Sequence, residues 1–198
     1  LIGDVAAAEI LSEDIFGTEI SYNGLTVKIP LVGRHQVENT VGVITAARAL
    51  GISDELIKKG IESTVIHARM EIISRSPVIM LDGGHNPECA AALENVLVRF
   101  AGDKSITVLI GMMADKDTKD YLAAILPHCK TAVFTKPSNP RAEDETELLR
   151  AGECFCRDVV SVKDPKDAYK KARSLVKNGD MLLVCGSFYL LSDIFGEP

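Results

Sequence analysis

Three observations predict an α/β fold with a mostly parallel sheet covered by helices on both faces. Continuous apolar runs recur from residue 78 onward: Val78–Leu81, Ile106–Ile110, Thr131–Thr135 and Met181–Cys185. Strands buried on both faces have this pattern, whereas half-solvated antiparallel strands alternate. Amphipathic helical stretches separate the runs, as in strand–helix–strand crossovers. The first run also ends in Asp82-Gly83-Gly84-His85-Asn86-Pro87, a sharp turn that feeds a helix. In such Rossmann-like sheets the ligand sits just outside the carboxyl ends of the strands, where that turn would stand.

Taken in order, Ile2–Ile15 mixes small apolar and acidic residues without a period, and its structure stays open. Glu19–Tyr22 and Leu25–Ile29 flank Asn23-Gly24, the strongest short hairpin signal, because both central residues of a type I′ turn need positive φ. Pro30 stops the second strand. Leu31–Gln36 leads into a helix with Val37, Val41, Ile44, Ala47, Ala49 and Leu50 at helical spacing and Gly51 at its end. Ser53 is placed to cap a short helix, Asp54–Gly60. Ile61–Ala68 has few helix formers and predicts a hinge, with one domain over 1–66 and the main domain over 67–198.

In the main domain, Glu71–Ile73 and Val78–Leu81 are expected as strands. Pro87–Ala101 is a helix capped by Asn86, with Pro87 in its first turn. Ile106–Ile110 is a strand, Gly111–Lys116 a turn and Thr118–Leu126 a helix. Thr131–Thr135 is a strand, Lys136–Asp144 a loop, Glu145–Arg150 a helix start and Val159–Val162 a short strand. Asp164 caps a helix opened by Pro165 and closed by Asn178-Gly179. Met181–Cys185 is the last buried strand, and Gly186-Ser187 turns into a final short helix.

The chain has 198 residues, 46% hydrophobic and 25% charged, with a net charge of −6. That length can bury a core without staples. The negative balance argues against a nucleic-acid or anionic-membrane surface. No apolar run approaches the ~20 residues of a membrane span, and no signal peptide is expected. The chain opens at Leu1 rather than Met, so further functional parts are expected upstream. The cysteines number five, an odd count without a CxxC, which fits reduced thiols in a cytoplasmic protein. Cys154 and Cys156 lack a second ligand pair of suitable spacing, so no metal site is assigned.

The expected strand ends carry Asp82 with His85, Asp115-Lys116-Asp117, Lys136 with Arg141, and Ser187. Basic groups, a histidine and helix N-termini on one edge would suit an anionic ligand such as a phosphate chain. Asp82 could accept protons from a ribose or a base. Each residue also has a plainer role. Asp82 is a common turn residue before Gly-Gly, Asp117 and Ser187 are helix caps, Lys136 and Arg141 are solvated loop charges, and Asn39 is an exposed amide. It is the joint pattern that favours function. The chain has no GxxxxGK[ST] phosphate loop, GxGxxG or GxSxG. A nucleotide-friendly edge without a triphosphate cradle looks like one half of a site.

At this point the residues resemble a family. Leu31–Gln36 followed by Asn39 is similar to the GxHQxxN helix of folylpolyglutamate synthase/dihydrofolate synthase, a branch of the Mur ligase superfamily. His67-Ala68-Arg69-Met70-Glu71 resembles its linker around GRxE, and Leu81–Pro87 its LDGAHNP. Gly111–Asp117 resembles its glycine-then-DKD turn, Arg141-Ala142 the RA of its later loop, and Gly186–Leu190 its terminal GSLYL. The resemblance covers nearly the whole chain. It implies the end of a central ATP-binding domain followed by a C-terminal Rossmann-like ligase domain. It implies an ATP-dependent ligase that activates a carboxylate as an acyl phosphate and joins it to L-glutamate, with folate as acceptor and a monomeric, cytoplasmic enzyme. By resemblance, Asn39 and Arg69 contact the nucleotide and Asp82 its adenosine part. His85 serves the phosphate or glutamate side, and Ser187 and Lys116 stand near the glutamate or acyl phosphate. His85 and Asp82 are the catalytic candidates. The Mg2+ ligands, the phosphate loop and a modified lysine are expected in the part N-terminal to Leu1, so this chain alone is expected to be inactive.

Two departures stand out. Gly84 replaces the family's Ala, and Ala68 the Gly before Arg69. Both are expected to be tolerated, provided Ala68 has negative φ. Two alternatives remain at this level: another amino-acid ligase of the superfamily, such as a Mur enzyme or cyanophycin synthetase, or a noncatalytic Rossmann-like binding module.

Overall fold

The computed structural model describes residues 3–196. The chain forms two units, Leu1–Ile66 and His67–Pro198.

In the first unit β1 (Ala8–Asp14), β2 (Gly17–Tyr22) and β3 (Leu25–Ile29) form an antiparallel sheet in that order. The β2–β3 hairpin turns at Asn23 and Gly24, both at positive φ (47° and 80°), with Tyr22 opposite Leu25. β1 falls in the stretch left open from sequence. It is an edge strand that is mostly exposed, so no buried face imposed alternation on it. Ile2, the first residue of that stretch, lies outside the described residues. α1 (Arg34–Ala49) and α2 (Asp54–Glu62) follow. Val37, Val41 and Ile44 pack with Ile57 and Ile61 against Ile20, Val27 and Ile29. Ala49 and Leu50 do not join this face. Leu50 follows the last residue of α1 and is 80% exposed, so the expected stripe ends a turn early. Ser53 holds the cap position of α2 without a side-chain hydrogen bond.

The second unit is a six-stranded sheet with helices on both faces. Its strands are β4 (Glu71–Arg75), β5 (Val78–Asp82), β6 (Ile106–Ile110), β7 (Thr131–Phe134), β8 (Asp158–Ser161) and β9 (Met181–Cys185), in the order β4-β5-β9-β6-β7-β8. Only β4 runs antiparallel to its neighbour. β5, β6 and β9 are buried at every position, which explains their unbroken apolar runs. The helices are α3 (Pro87–Phe100), α4 (Thr118–Ile125), α5 (Glu145–Gly152), α6 (Pro165–Leu175) and α7 (Phe188–Phe195). Ala168 and Ala172 of α6 and Leu190 of α7 pack with Ile79, Leu81, Leu109, Val133, Leu182 and Val184. Phe134, the neighbour of Val133 and so on the opposite face, meets α5, where a Cβ on Gly152 would come 2.5 Å from its ring.

Caps fix several helix starts. Asn86 Oδ1 accepts the Cys89 N–H at 2.8 Å, and Asp164 Oδ1 the Asp167 N–H at 2.9 Å. Asp117 occupies the cap position of α4 but makes no side-chain cap bond. α6 stops at Leu175, short of the expected Asn178-Gly179. Val176 turns extended (φ −96°, ψ 127°) and buries its side chain in the core, so packing ends the helix before the glycine does. Among the described residues no helix is long and apolar enough to cross a membrane.

Candidate functional site at the carboxyl edge of the sheet

Strand register builds the site. Asp82 at the end of β5 and Ile110 at the end of β6 both pair with Cys185 at the end of β9. The turns after these three strands therefore leave the sheet side by side. The loop after β7 is tied to the turn after β6. Ala114 N–H donates to the Arg141 carbonyl at 2.8 Å, Glu143 N–H donates to the Met112 carbonyl at 2.9 Å, and Met113 bridges Ala142. This stitching sets Arg141 against Asp115.

A cleft of about 150 Å3 results, lined by His85, Asp115, Lys116, Arg141, Ser187 and Phe188 among others. Asp115 Oδ2 lies 3.7 Å from Arg141 Nη1 and 3.9 Å from Lys116 Nζ. Asp115 and Arg141 are more than half exposed, so these pairs contribute little stability and can exchange partners with a ligand. His85 Nδ1 lies 3.2 Å from the Gly83 carbonyl. A carbonyl can only accept, so this bond places the proton on Nδ1 and leaves Nε2 for a ligand. Ser187 is 2% exposed, and its Oγ accepts the Leu190 N–H at 3.1 Å as the cap of α7. The cleft can thus hold a small ligand with anionic groups near His85, Lys116 and Arg141 and a cationic group near Asp115.

Asp82 stands behind the cleft. It is 4% exposed, and its carboxylate accepts the Met70 N–H at 3.0 Å and the Gly84 N–H at 2.8 Å. The Gly83 N–H donates to the Ala68 carbonyl at 2.8 Å, so the segment before β4 is fastened to the end of β5. Gly84 suits this packing: a Cβ there would come 2.6 Å from both Asp82 Oδ1 and Cys89 Cβ. The condition set for Ala68 is not met. Its φ is +57° and that of Met70 +50°, because the bend between the two hydrogen-bonded anchors needs left-handed backbone on either side of Arg69. Arg69 is exposed, with its guanidinium carbon 4.9 Å from the centroid of the Phe188 ring. Below Asp82, burial pushes the Cys185 thiol and the Tyr121 hydroxyl up, so both stay protonated.

Of the sequence candidates, His85, Lys116 and Ser187 therefore share one cleft, Asp82 lies beneath it and Arg69 stands on the bend that Asp82 holds. Asn39 belongs to the first unit. Its Nδ2 donates to Gln36 Oε1 at 3.4 Å, and it lines a pocket of about 130 Å3 with Gln36 and Thr40. Sequence reasoning passed over Phe188. The signal was Gly83, whose missing side chain makes room for that ring: a Cβ would come 2.8 Å from the ring carbons. Among the described residues no group of three or more His, Cys, Asp or Glu is placed to hold a metal ion.

This sheet order, with a cleft at its carboxyl edge, defines a Rossmann-like α/β domain. Residues 68–188 match the family model for the Mur ligase, glutamate ligase domain, and the chain belongs to that family. It is 33% identical over 171 residues to a probable bifunctional folylpolyglutamate synthase/dihydropteroate synthase of Halobacterium salinarum, covering 85% of this chain and 21% of the relative. It is 29% identical over 175 residues to the dihydrofolate synthase/folylpolyglutamate synthase of Bacillus subtilis, covering 85% and 40%. The solved structure of Escherichia coli FolC in complex with DHPP and ADP superposes with a TM-score of 0.78 at 26% identity, covering 93% of this chain and 44% of that one. The chain thus spans less than half the length of these relatives.

Proposed function

We propose that the chain is the C-terminal region of an ATP-dependent amide-bond ligase that adds L-glutamate to folate through an acyl phosphate. In this reading 1–66 is the end of the central ATP-binding domain and 67–198 the ligase domain. The observation that carries it is the edge cleft, in which three basic side chains and one carboxylate converge on a space of about 150 Å3. Glutamate offers two carboxylates and one ammonium, which match that charge pattern. Arg141 and Lys116 take the carboxylates, and Asp115 takes the ammonium before the amine attacks. His85 faces the transferring group with Nε2, which donates when the ring is an imidazolium, Nδ1–H staying on the Gly83 carbonyl, and so stabilises the developing charge. Arg69 and Asn39 serve the nucleotide. Asp82 acts through position, because it is 4% exposed and its carboxylate holds the Met70 and Gly84 N–H groups. ATP fits here as an anion beside Arg69 and His85. Among the described residues no group of three or more His, Cys, Asp or Glu makes a Mg2+ site, and the metal ligands are assigned to the part of the enzyme outside this chain.

The test is ATP-dependent incorporation of labelled glutamate by the whole polypeptide that contains this chain, with tetrahydrofolate, dihydropteroate or a UDP-muramoyl acceptor. The folate acceptors should react, dihydropteroate reporting the dihydrofolate synthase activity, and the muramoyl acceptor should not. His85→Ala should lower kcat by roughly 100-fold or more, the scale of losing one positioned transition-state donor. Near-normal rates would return His85 to a turn residue. The chain by itself, which has no phosphate-loop pattern, should turn over no ATP.

A further inference from the structure

The Arg69 bend is firmly held at its backbone and loosely at its side chain. Three hydrogen bonds pin it: Ala68 N–H to Glu71 Oε2 at 2.9 Å, Met70 N–H to Asp82 Oδ2 at 3.0 Å, and Gly83 N–H to the Ala68 carbonyl at 2.8 Å. The Arg69 side chain has four free torsions and an exposed position. Its contact with the Phe188 ring, at 4.9 Å to the centroid, is within cation–π range. Phe188 is 41% exposed, and the position of its ring is set from two sides. It begins α7 directly after the capping Ser187, and it lies over Gly83. The turn after β5, the turn after β9 and the bend before β4 thus meet at one ring. That ring lines both the charged cleft and a cavity of about 510 Å3 between β4 and α7.

We propose that Phe188 is a positioning residue: its ring holds the Arg69 guanidinium ready at the carboxyl edge to receive the phosphate chain of the nucleotide. The role of Arg69 in this rests on the function proposed above, whereas the Phe188–Arg69 contact does not. A preorganised cation loses less side-chain freedom when the anion arrives. An aliphatic residue at 188 keeps the volume but lacks the ring face that attracts the cation.

Two measurements separate the contact from the function. In the whole polypeptide, Phe188→Leu should raise KM for ATP about two- to fivefold, with a smaller change in kcat. Phe188→Tyr should restore it, and Phe188→Leu should add little further in an Arg69→Ala background. An equal rise with Phe188→Leu and Phe188→Tyr, or an unchanged effect in the Arg69→Ala background, overturns the proposal. In the 198-residue chain, the Arg69 Nε–H proton resonance should be shifted by the ring current and return toward the free-arginine position in Phe188→Leu. A resonance that does not move removes the contact itself. Absence of ATP-dependent ligation with the resonance shift intact would sink the function and leave the contact standing.

Discussion

Two aspartates at the same sheet edge have opposite uses. Asp82 ends β5, is 4% exposed and accepts two backbone N–H groups that join the bend before β4 to the turn after β5. Asp115 stands in the turn after β6, half exposed, between Arg141 and Lys116, in pairs of 3.7 and 3.9 Å. The first is fastened to the backbone, and the second can turn to a ligand. A strand-end carboxylate in this fold is therefore assigned by what already occupies its oxygens. Asp82 shapes the platform, and Asp115 with its cations lines the exposed cleft to which the proposed function assigns glutamate.

The largest expected effect tests that division. Asp82→Ala leaves the Met70 and Gly84 N–H groups buried without this acceptor, which should cost about 2–4 kcal/mol. Urea unfolding should show it as a clear fall in midpoint. Asp115→Ala removes only solvent-screened pairs and should stay within about 0.5 kcal/mol. In ligase assays of the whole polypeptide the order reverses once stability is corrected, with Asp115→Ala raising KM for glutamate. Equal urea midpoints for the two variants would erase the distinction.

A smaller effect is expected at Ala68, on the platform side. Its left-handed backbone costs an alanine roughly 1–2 kcal/mol. Ala68→Gly relieves that strain but frees the unfolded chain by about 0.4–1 kcal/mol. It also removes a buried methyl worth about 0.8 kcal/mol. These effects nearly cancel, so Ala68→Gly should lie within about 0.5 kcal/mol of the native chain. Ala68→Val, β-branched at φ +57°, should be clearly destabilised. A gain above about 1 kcal/mol for Ala68→Gly would show that the methyl contributes nothing, although Ala68 packs into the core.

The parallel sheet was legible because β5, β6 and β9 are apolar at every position, and the turn after β5 because Gly-Gly and Asn-Pro carry strong local signals. The order that makes β9 a neighbour of both β5 and β6 was not, since pairing across 70 or more residues leaves no periodic trace. β1 was missed because neither of its faces is buried. The end of α6 was misplaced because Val176 packs into the core three residues before the turn glycine. At the site, His85, Lys116 and Ser187 could be placed at strand ends, but the burial of Asp82 could not. Its partners are the main-chain N–H groups of Met70 and Gly84, and a sequence displays side chains rather than free donors.

The smallest expected effect concerns the layer beneath Asp82, where Cys185 and Tyr121 lie. Burial raises the titration of Cys185, Cys129 and Tyr121, and that of Cys156 to a lesser degree. A folded-state pKa raised above the unfolded one gives stability that is complete below the unfolded value and fades as pH rises. Unfolded thiols ionise near pH 9, so the urea midpoint should hold near neutrality and decline between about pH 8 and 10. Cys154 is exposed and Cys89 partly so, whereas Cys185 is fully enclosed. Iodoacetamide at pH 8 should therefore label Cys154 first and Cys89 next, leaving Cys185 unmodified until the chain unfolds. Because Asp82 ties down the bend over this layer, Asp82→Ala should bring Cys185 labelling forward, and Asp115→Ala should not. Equal labelling of Cys185 in the two variants would detach the buried layer from the platform aspartate.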